Sequence, residues 1–229
     1  MKILVTDFDK TFFTDSYEKN IDLVNQFVEN GNMFIIATGR PIYLLEADIN
    51  KYHIDYNYLI CNDGAVIFDK EKRKIYEDNM DKEIAINIFN ELQGDLNLEK
   101  VFIDNTASFS TDTNDIFNGI VALPIDRQKA LNSIEYLCNK YPNIQGYLSH
   151  KWVNILTKNA SKGNAIKWLA SKYSWNVSEI ITVGDNKNDL SMSDDFNSYA
   201  IMGNIELMNH TKHIVKDFAE MMEEIKWRY

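Results

Sequence analysis

The chain has 229 residues, 45% of them hydrophobic and 12% aromatic, enough to bury the core of one domain with an insert or of two small domains. Its formal net charge of -10 argues against the broad basic footprint that nucleic acid or an anionic membrane surface requires, and a small ligand is the expected partner. The two cysteines, Cys61 and Cys138, have no CxxC spacing and are expected as reduced, buried small hydrophobes, forming neither a disulfide nor a zinc site. The four histidines, His53, His150, His210 and His213, show no ligand spacing. Too few apolar residues precede Asp7 for a signal peptide, and no run approaches about 18 apolar residues, so a cytoplasmic location is expected.

In chain order, "KILVT" reads as a strand covered on both faces. "NIDLVNQFVENG" places Ile21, Val24, Phe27 and Val28 on one helical face, with Gly31 suited to the position after its end. "MFIIATG", "YLIC", "EIITV" and "SYAIM" are further strands, and helices such as "GNAIKWLASKY" separate them. Repeated strand-helix-strand units predict an α/β fold with a doubly wound, mostly parallel sheet and right-handed crossovers. The middle of the chain has another rhythm. "AVIFDKEKRKIYED" reads as a hairpin around a charged turn, and "KEIAINIFNELQG" as a helix with Ile84, Ile88, Phe89 and Leu92 aligned. "KVFID", the polar "NTASFSTDTND", "IFNGIVAL", the helix "RQKALNSIEYLCNKY", "IQGYLS" and "WVNILT" follow. We therefore place a smaller α+β insert at residues 81–153, inside a core made of 1–80 and 154–229. Trp152 and Trp168 fall at apolar positions and are expected to pack.

Ligands of open parallel sheets gather outside the carboxyl ends of the strands. Four short polar segments follow strand-like runs or start the next helix: "DFDKT", "ATGR", "SKGN" and "GDNKND". Alone, "DFD" is equally compatible with a solvated loop or helix cap, but four coincident segments point to a site. Gathering Asp7, Asp9, Asp185 and Asp189 at one rim is self-repelling, since two unit charges ~4 Å apart cost about 4 kcal/mol at an effective dielectric near 20. A divalent cation is therefore expected, and an all-oxygen donor set favours Mg2+. Lys162, at the start of a helix, and Thr38, with a hydroxyl and a backbone N–H beside the flexible Gly39, suit a phosphate group. An aspartate in line with phosphorus forms an aspartyl-phosphate, and a second one two residues on transfers the proton.

These segments, in this order, resemble the haloacid dehalogenase (HAD) superfamily. "DFDKT" looks like its DxDxT signature, "IIATGR" its second motif, Lys162 its third and "GDNKND" its fourth. "ICNDGAVIFD", "ASKGNAIKWLA", "VGDNKNDLSM" and "YAIMGN" are similar to the Cof-type branch, subfamily IIB, whose cap is inserted between the second and third motifs. The resemblance implies a Rossmann-like core with a cap domain over it. It implies Asp7 as nucleophile and Mg2+ ligand, and Asp9 as general acid/base that also binds the metal through its carbonyl. Thr38, Gly39, Lys162 and Asn188 would hold the phosphoryl group, with Asp185 as a further metal ligand. Thr11, Arg40 and Asp189 would support the site, Arg40 either on the anion or in an ion pair. Lys10 stands where many relatives have glycine and is expected as a solvated side chain; "NDGA" replaces the commoner "SNGA". The implied activity is hydrolysis of a small phosphorylated metabolite such as a sugar phosphate, by a monomer or small homo-oligomer. The alternatives are a phosphomannomutase-like phosphotransferase and a non-catalytic protein that binds a phosphometabolite.

Overall fold

Every residue of the β-branched run Ile3–Asp7, strand β1, is buried, because the strand lies inside a parallel sheet covered on both faces. The computed structural model describes residues 1–95, 97–149 and 151–228; His150 lies outside them. After β1 come α1 (Tyr17–Glu29), β2 (Met33–Ala37), α2 (Ile42–Tyr52), β3 (Tyr58–Cys61), a 3-10 turn at Asn62–Gly64, and the strands β4 (Val66–Asp69) and β5 (Lys74–Glu77). A second run follows: α3 (Lys82–Gln93), β6 (Leu98–Asp104), β7 (Phe109–Ser110), β8 (Gly119–Pro124), α4 (Arg127–Lys140), β9 (Ile144–Ser149) and β10 (Trp152–Thr157). The chain then returns through α5 (Lys162–Tyr173), β11 (Ile180–Gly184), β12 (Asn197–Ile201), α6 (Ile205–His210), β13 (His213–Val215) and α7 (Phe218–Arg228).

Among the described residues the first and third runs form an eight-stranded sheet of order β13-β12-β11-β1-β2-β3-β4-β5. It is parallel from β13 to β3, whereas β3-β4 and β4-β5 are antiparallel. The sheet is therefore mixed: the short turns around β4 leave no length for the crossover that a parallel pair needs. Strands β2 and β3 extend it to one side of β1 and β11 to β13 to the other. The order reverses between β1 and β11, and that switch point opens a crevice at the carboxyl ends. Alternation along β1 and β2 sends Ile3, Val5 and Ile35 to one face against Ile166 and Leu169 of α5. Leu4, Phe34 and Ile36 face the other way, against Val24 and Phe27 of α1 and Phe218 and Met221 of α7.

The middle run makes a five-stranded antiparallel sheet of order β7-β6-β8-β10-β9. Helices α3 and α4 cover one face, packing Ala85, Ile88, Phe89, Ala130, Ile134 and Leu137 on Val101, Ile103, Ile120, Ala122 and Val153. From the other face Val121 and Asn154 look onto the cavity at the first sheet's carboxyl rim. Strand β10 pairs with β9 as far as Thr157 opposite Ile144, so the ladder continues past residue 153, the limit expected from hydrophobic pattern. Strands β7 and β13, two and three residues long, are too short to carry a readable period. Cys61 is buried and Cys138 half-buried, both free thiols. Trp168 packs as expected, its ring 4.9 Å from that of Tyr76.

Candidate active site

Strand β1 ends at Asp7 and β11 at Gly184, immediately before Asp185, on the two sides of the switch point. β2 runs beside β1, with Ala37 opposite Asp7, and so delivers Thr38 to the same rim. Ser161 caps α5 by accepting the N–H of Asn164, which sets Lys162 in the first turn below the rim. The Lys162 side chain is fully buried. Its Nζ donates to Asp7 Oδ1 at 2.6 Å and to Asp189 Oδ1 at 2.7 Å. The other Asp189 oxygen accepts the N–H groups of Asp185 (3.0 Å) and Asn186 (3.1 Å), tying the loop after β11 into one conformation.

Burial alone pushes the Lys162 ammonium toward the neutral form, but the carboxylates of Asp189, Asp7 and Asp63 outweigh it and hold the group above the usual lysine range. Burial likewise raises the Asp7 carboxyl well above the usual carboxylate range; Lys162 opposes that rise, and Asp189 and Asp185 add to it. Asp185 is raised by burial and then by Asp189. The site strains toward protonation of acids that the chemistry needs ionised.

A cation held by these acids would relieve that strain. One oxygen from each of Asp7, Asp185 and Asp189 lies within 4.8 Å of the others, and three carboxylates against one ammonium leave two negative charges. The donors are all hard oxygens, the set suited to Mg2+. The Asp9 side chain lies outside this group. Arg40 engages both of its oxygens, Nε reaching Oδ2 at 2.7 Å, while Nη1 of Arg40 binds Asp48 Oδ2 at 2.7 Å. Of the two expectations for Arg40, the ion pair is the one observed.

The other expected residues converge on the same rim. Thr38 is buried, and its N–H, expected to serve a phosphate, instead donates to Ile60 O at 2.8 Å, because the parallel ladder continues one residue beyond β2. Its hydroxyl accepts the Arg40 N–H at 3.1 Å, which leaves the O–H hydrogen to be donated. A Cβ on Gly39 would stand 2.7 Å from Asp63 Oδ2, so the close approach of this loop to Asp63 needs glycine. Thr11 donates to Asp185 Oδ1 at 3.1 Å, and Asn188 to Asp63 Oδ1 at 3.1 Å. Lys10 is exposed with φ 65°; this left-handed backbone accounts for a glycine preference at the position.

A cavity of about 740 Å3 lies between the sheets. Asp7, Asp9, Thr38 and Asn188 line one side; Asp104, Phe109, Ser149, Trp152 and Asn154 line the other. Trp152 is thus a wall of the cavity and not only a packing residue. Sequence reasoning missed Asp63, Asp104 and Tyr147. Asp63 carried a signal, an acid two residues beyond the buried strand β3, and so did Asp104, the buried last residue of β6, whereas nothing local distinguishes Tyr147 from neighbouring aromatic residues.

A second sheet facing a carboxylate rim around a buried lysine, at the switch point of an α/β sheet, is a fold shared with solved haloacid dehalogenase-like hydrolases, and the chain is a phosphoric monoester hydrolase. The family model described as sucrose-6F-phosphate phosphohydrolase matches residues 1–227, and the chain belongs to that family. An uncharacterized protein of Mycoplasma capricolum is 28% identical to it, over 96% of this chain and 98% of that one. Phosphatase YwpJ of Bacillus subtilis is 23% identical over 89% and 90%. The solved structure of the HAD subclass IIB sugar phosphatase BT4131 superposes with a TM-score of 0.77, covering 99% of this chain and 98% of that chain at 15% identity. Among the described residues no helix is long and apolar enough to cross a membrane.

Proposed function

We propose that the protein is a Mg2+-dependent phosphatase of a sugar phosphate, working through an aspartyl-phosphate on Asp7, with residues 81–157 as the cap. The observation that carries this reading is the Asp7 carboxylate at the switch point, held by Lys162 at 2.6 Å and grouped with Asp185 and Asp189 on the wall of the cavity. Asp7, Asp185 and Asp189 would hold the cation, together with the Asp9 carbonyl. When bound, Mg2+ supplies charge neutralisation and polarises the phosphoryl oxygens.

An Asp7 oxygen attacks phosphorus; the ester P–O bond breaks, and its electron pair leaves on the substrate oxygen. Asp9, freed from Arg40 and protonated from solvent before the step, gives its proton to that oxygen. Asp9 then takes a proton from water, the water oxygen attacks phosphorus, and the Asp7–phosphorus bond breaks to release orthophosphate. Lys162 and the Thr38 hydroxyl balance charge on the transferring group, with Asn188 beside them. Phe109 and Trp152 offer flat apolar faces, and Asp104, Ser149 and Asn154 offer hydrogen-bonding groups, the combination that suits a polyhydroxylated ring. The family description and the sugar phosphatase neighbour support the same substrate class.

The test is phosphate release from p-nitrophenyl phosphate and a sugar phosphate panel. We expect activity with Mg2+, none in EDTA, and loss on Asp7→Asn; full activity of Asp7→Asn refutes the nucleophile. Phosphate recovered on an added sugar, with little released free, would make the protein a phosphotransferase instead.

A further inference from the structure

The turn Asn62–Gly64 touches every phosphate-side segment of the rim. All three of its residues take left-handed backbone, with φ of 51°, 49° and 102°, a conformation that costs about 1–2 kcal/mol for a residue with a Cβ. Such a turn persists only where its surroundings over-determine it. Here the Asp63 N–H donates to Thr38 O at 3.0 Å and the Asn62 N–H to Arg40 O at 3.2 Å, stitching the turn to the loop after β2. A Cβ on Gly64 would stand 2.1 Å from Ser161 O, so the turn also rests on the residue before Lys162. Asp63 Oδ1 holds the Asn188 amide at 3.1 Å.

Two residues of the other sheet land on this turn. Thr106, between β6 and β7, donates its hydroxyl to Asn62 Oδ1 at 2.7 Å. Tyr147, on β9, donates its hydroxyl to Asp63 Oδ2, and its ring packs against the core cluster of the first sheet that holds Leu4, Phe8 and Phe12. The buried Asp63 carboxylate therefore accepts one donor from each sheet, Tyr147 from the cap and Asn188 from the rim. A carboxylate suits that place, because it accepts at both oxygens and strengthens both bonds by its charge.

We propose that this turn couples the seating of the cap to the phosphate site. Tyr147 and Asp63 are positioning residues: with the cap down, the Tyr147 hydroxyl fixes Asp63, and Asp63 fixes Asn188 and the Thr38–Gly39 loop for phosphate. Thr106 on Asn62 is the second contact of the same seat. The inference rests on the phosphatase reading above, but it concerns phosphate binding and is read without turnover.

The experiment measures Mg2+-dependent binding of inorganic phosphate by calorimetry, with the thermal midpoint of each variant alongside. Tyr147→Phe keeps the ring and its packing, and we expect it to weaken phosphate about tenfold, the scale of one hydrogen bond to a charged group. Asp63→Ala should do the same. Asp63→Asn should recover most of the affinity, since its amide can accept from Asn188 and donate to the Tyr147 oxygen. Tyr147→Phe combined with Asp63→Ala should bind no more weakly than Asp63→Ala alone. Wild-type affinity in Tyr147→Phe overturns the coupling, as does additivity of the two changes. A lowered thermal midpoint with unchanged phosphate affinity also overturns it, by making Tyr147 structural only. A wild-type protein that binds phosphate but releases none from any ester fails the enzymatic reading while the coupling is still decided by these variants; one that binds no phosphate overturns both.

Discussion

Removing the buried ammonium is the most severe single test of the rim. In Lys162→Met the side-chain volume is nearly kept, but Asp7 and Asp189 lose donors at 2.6 and 2.7 Å and remain as buried carboxylates. Breaking a buried ion pair from one side costs about 3–5 kcal/mol, and two acids share this partner. In a domain of this size 1 kcal/mol moves the melting temperature by roughly 2–4 °C, so a fall of roughly 6–20 °C is expected in EDTA. Excess Mg2+ should restore part of it, because the cation binds the folded acid group and draws the equilibrium toward the native state. The assay is thermal unfolding of both proteins in EDTA and in Mg2+. A variant as stable as wild type in EDTA, or one that Mg2+ stabilises no more than wild type, would refute the argument that Lys162 and the cation share the neutralisation of Asp7 and Asp189.

Other outcomes follow from the cavity. Burial raises the Asp104 carboxyl to about 6, above its unfolded value of about 3.9, so its favourable contribution is complete below the unfolded value and is lost as pH rises through the folded one. Two units correspond to roughly 2–3 kcal/mol; Asp104→Asn should therefore be more stable than wild type at pH 7 and indistinguishable near pH 4 by denaturant titration. Trp152→Ala should raise KM for the sugar phosphate about tenfold, the loss of one ring face, while hydrolysis of acetyl phosphate, too small to reach that wall, stays near wild type. Gly39→Ala drives a methyl group to 2.7 Å from Asp63 Oδ2, an oxygen pinned by Tyr147, and should lower kcat/KM for phosphate release about tenfold or more, in line with overpacking costs of about 1–3 kcal/mol.

The rim was legible because its residues sit where hydrophobic runs end: a buried strand announces itself by composition, and the polar residue that follows must lie at the carboxyl edge. That logic reached Asp7, Thr38 and Asp185, while Lys162 was read from its place at the start of a helix. It failed where the partner comes from far along the chain. For Arg40 it left an anion and an ion pair with a nearby acid both open; the structure has the ion pair, but which acids take part, Asp9 at 31 residues and Asp48 at 8, could not be read locally. The Thr38 N–H was misjudged because a strand's hydrogen bonding ends by ladder geometry, one residue later than its apolar run. The hairpin β4–β5 was legible from the charged turn in "AVIFDKEKRKIYED", but its antiparallel junction with β3 at the edge of the main sheet was not, since a strand buried on both sides reads like a parallel one. Asp63 was visible as an irregularity in "NDGA", but its meaning required Tyr147, 84 residues away.

The four rim acids are held differently, Asp7 and Asp189 sharing one lysine, and this bears on how phosphate enters. Among the described residues, Asp9 is held by Arg40, Asp189 by Lys162 and the loop N–H groups, Asp185 by Thr11, and the Asp7 side chain by the shared Lys162. Arg40 is also held by Asp48, and Lys162 already faces two carboxylates, so the buried and half-buried cations nearest Asp7 are committed, and the exposed Lys10 and Lys151 are the further cations near the cavity. A phosphate dianion approaching Asp7 would meet a net negative group in a buried setting, where like charges repel by several kcal/mol. On the proposed reading, a divalent cation on Asp7, Asp185 and Asp189 removes that repulsion, so phosphate binds more tightly after the cation than before it.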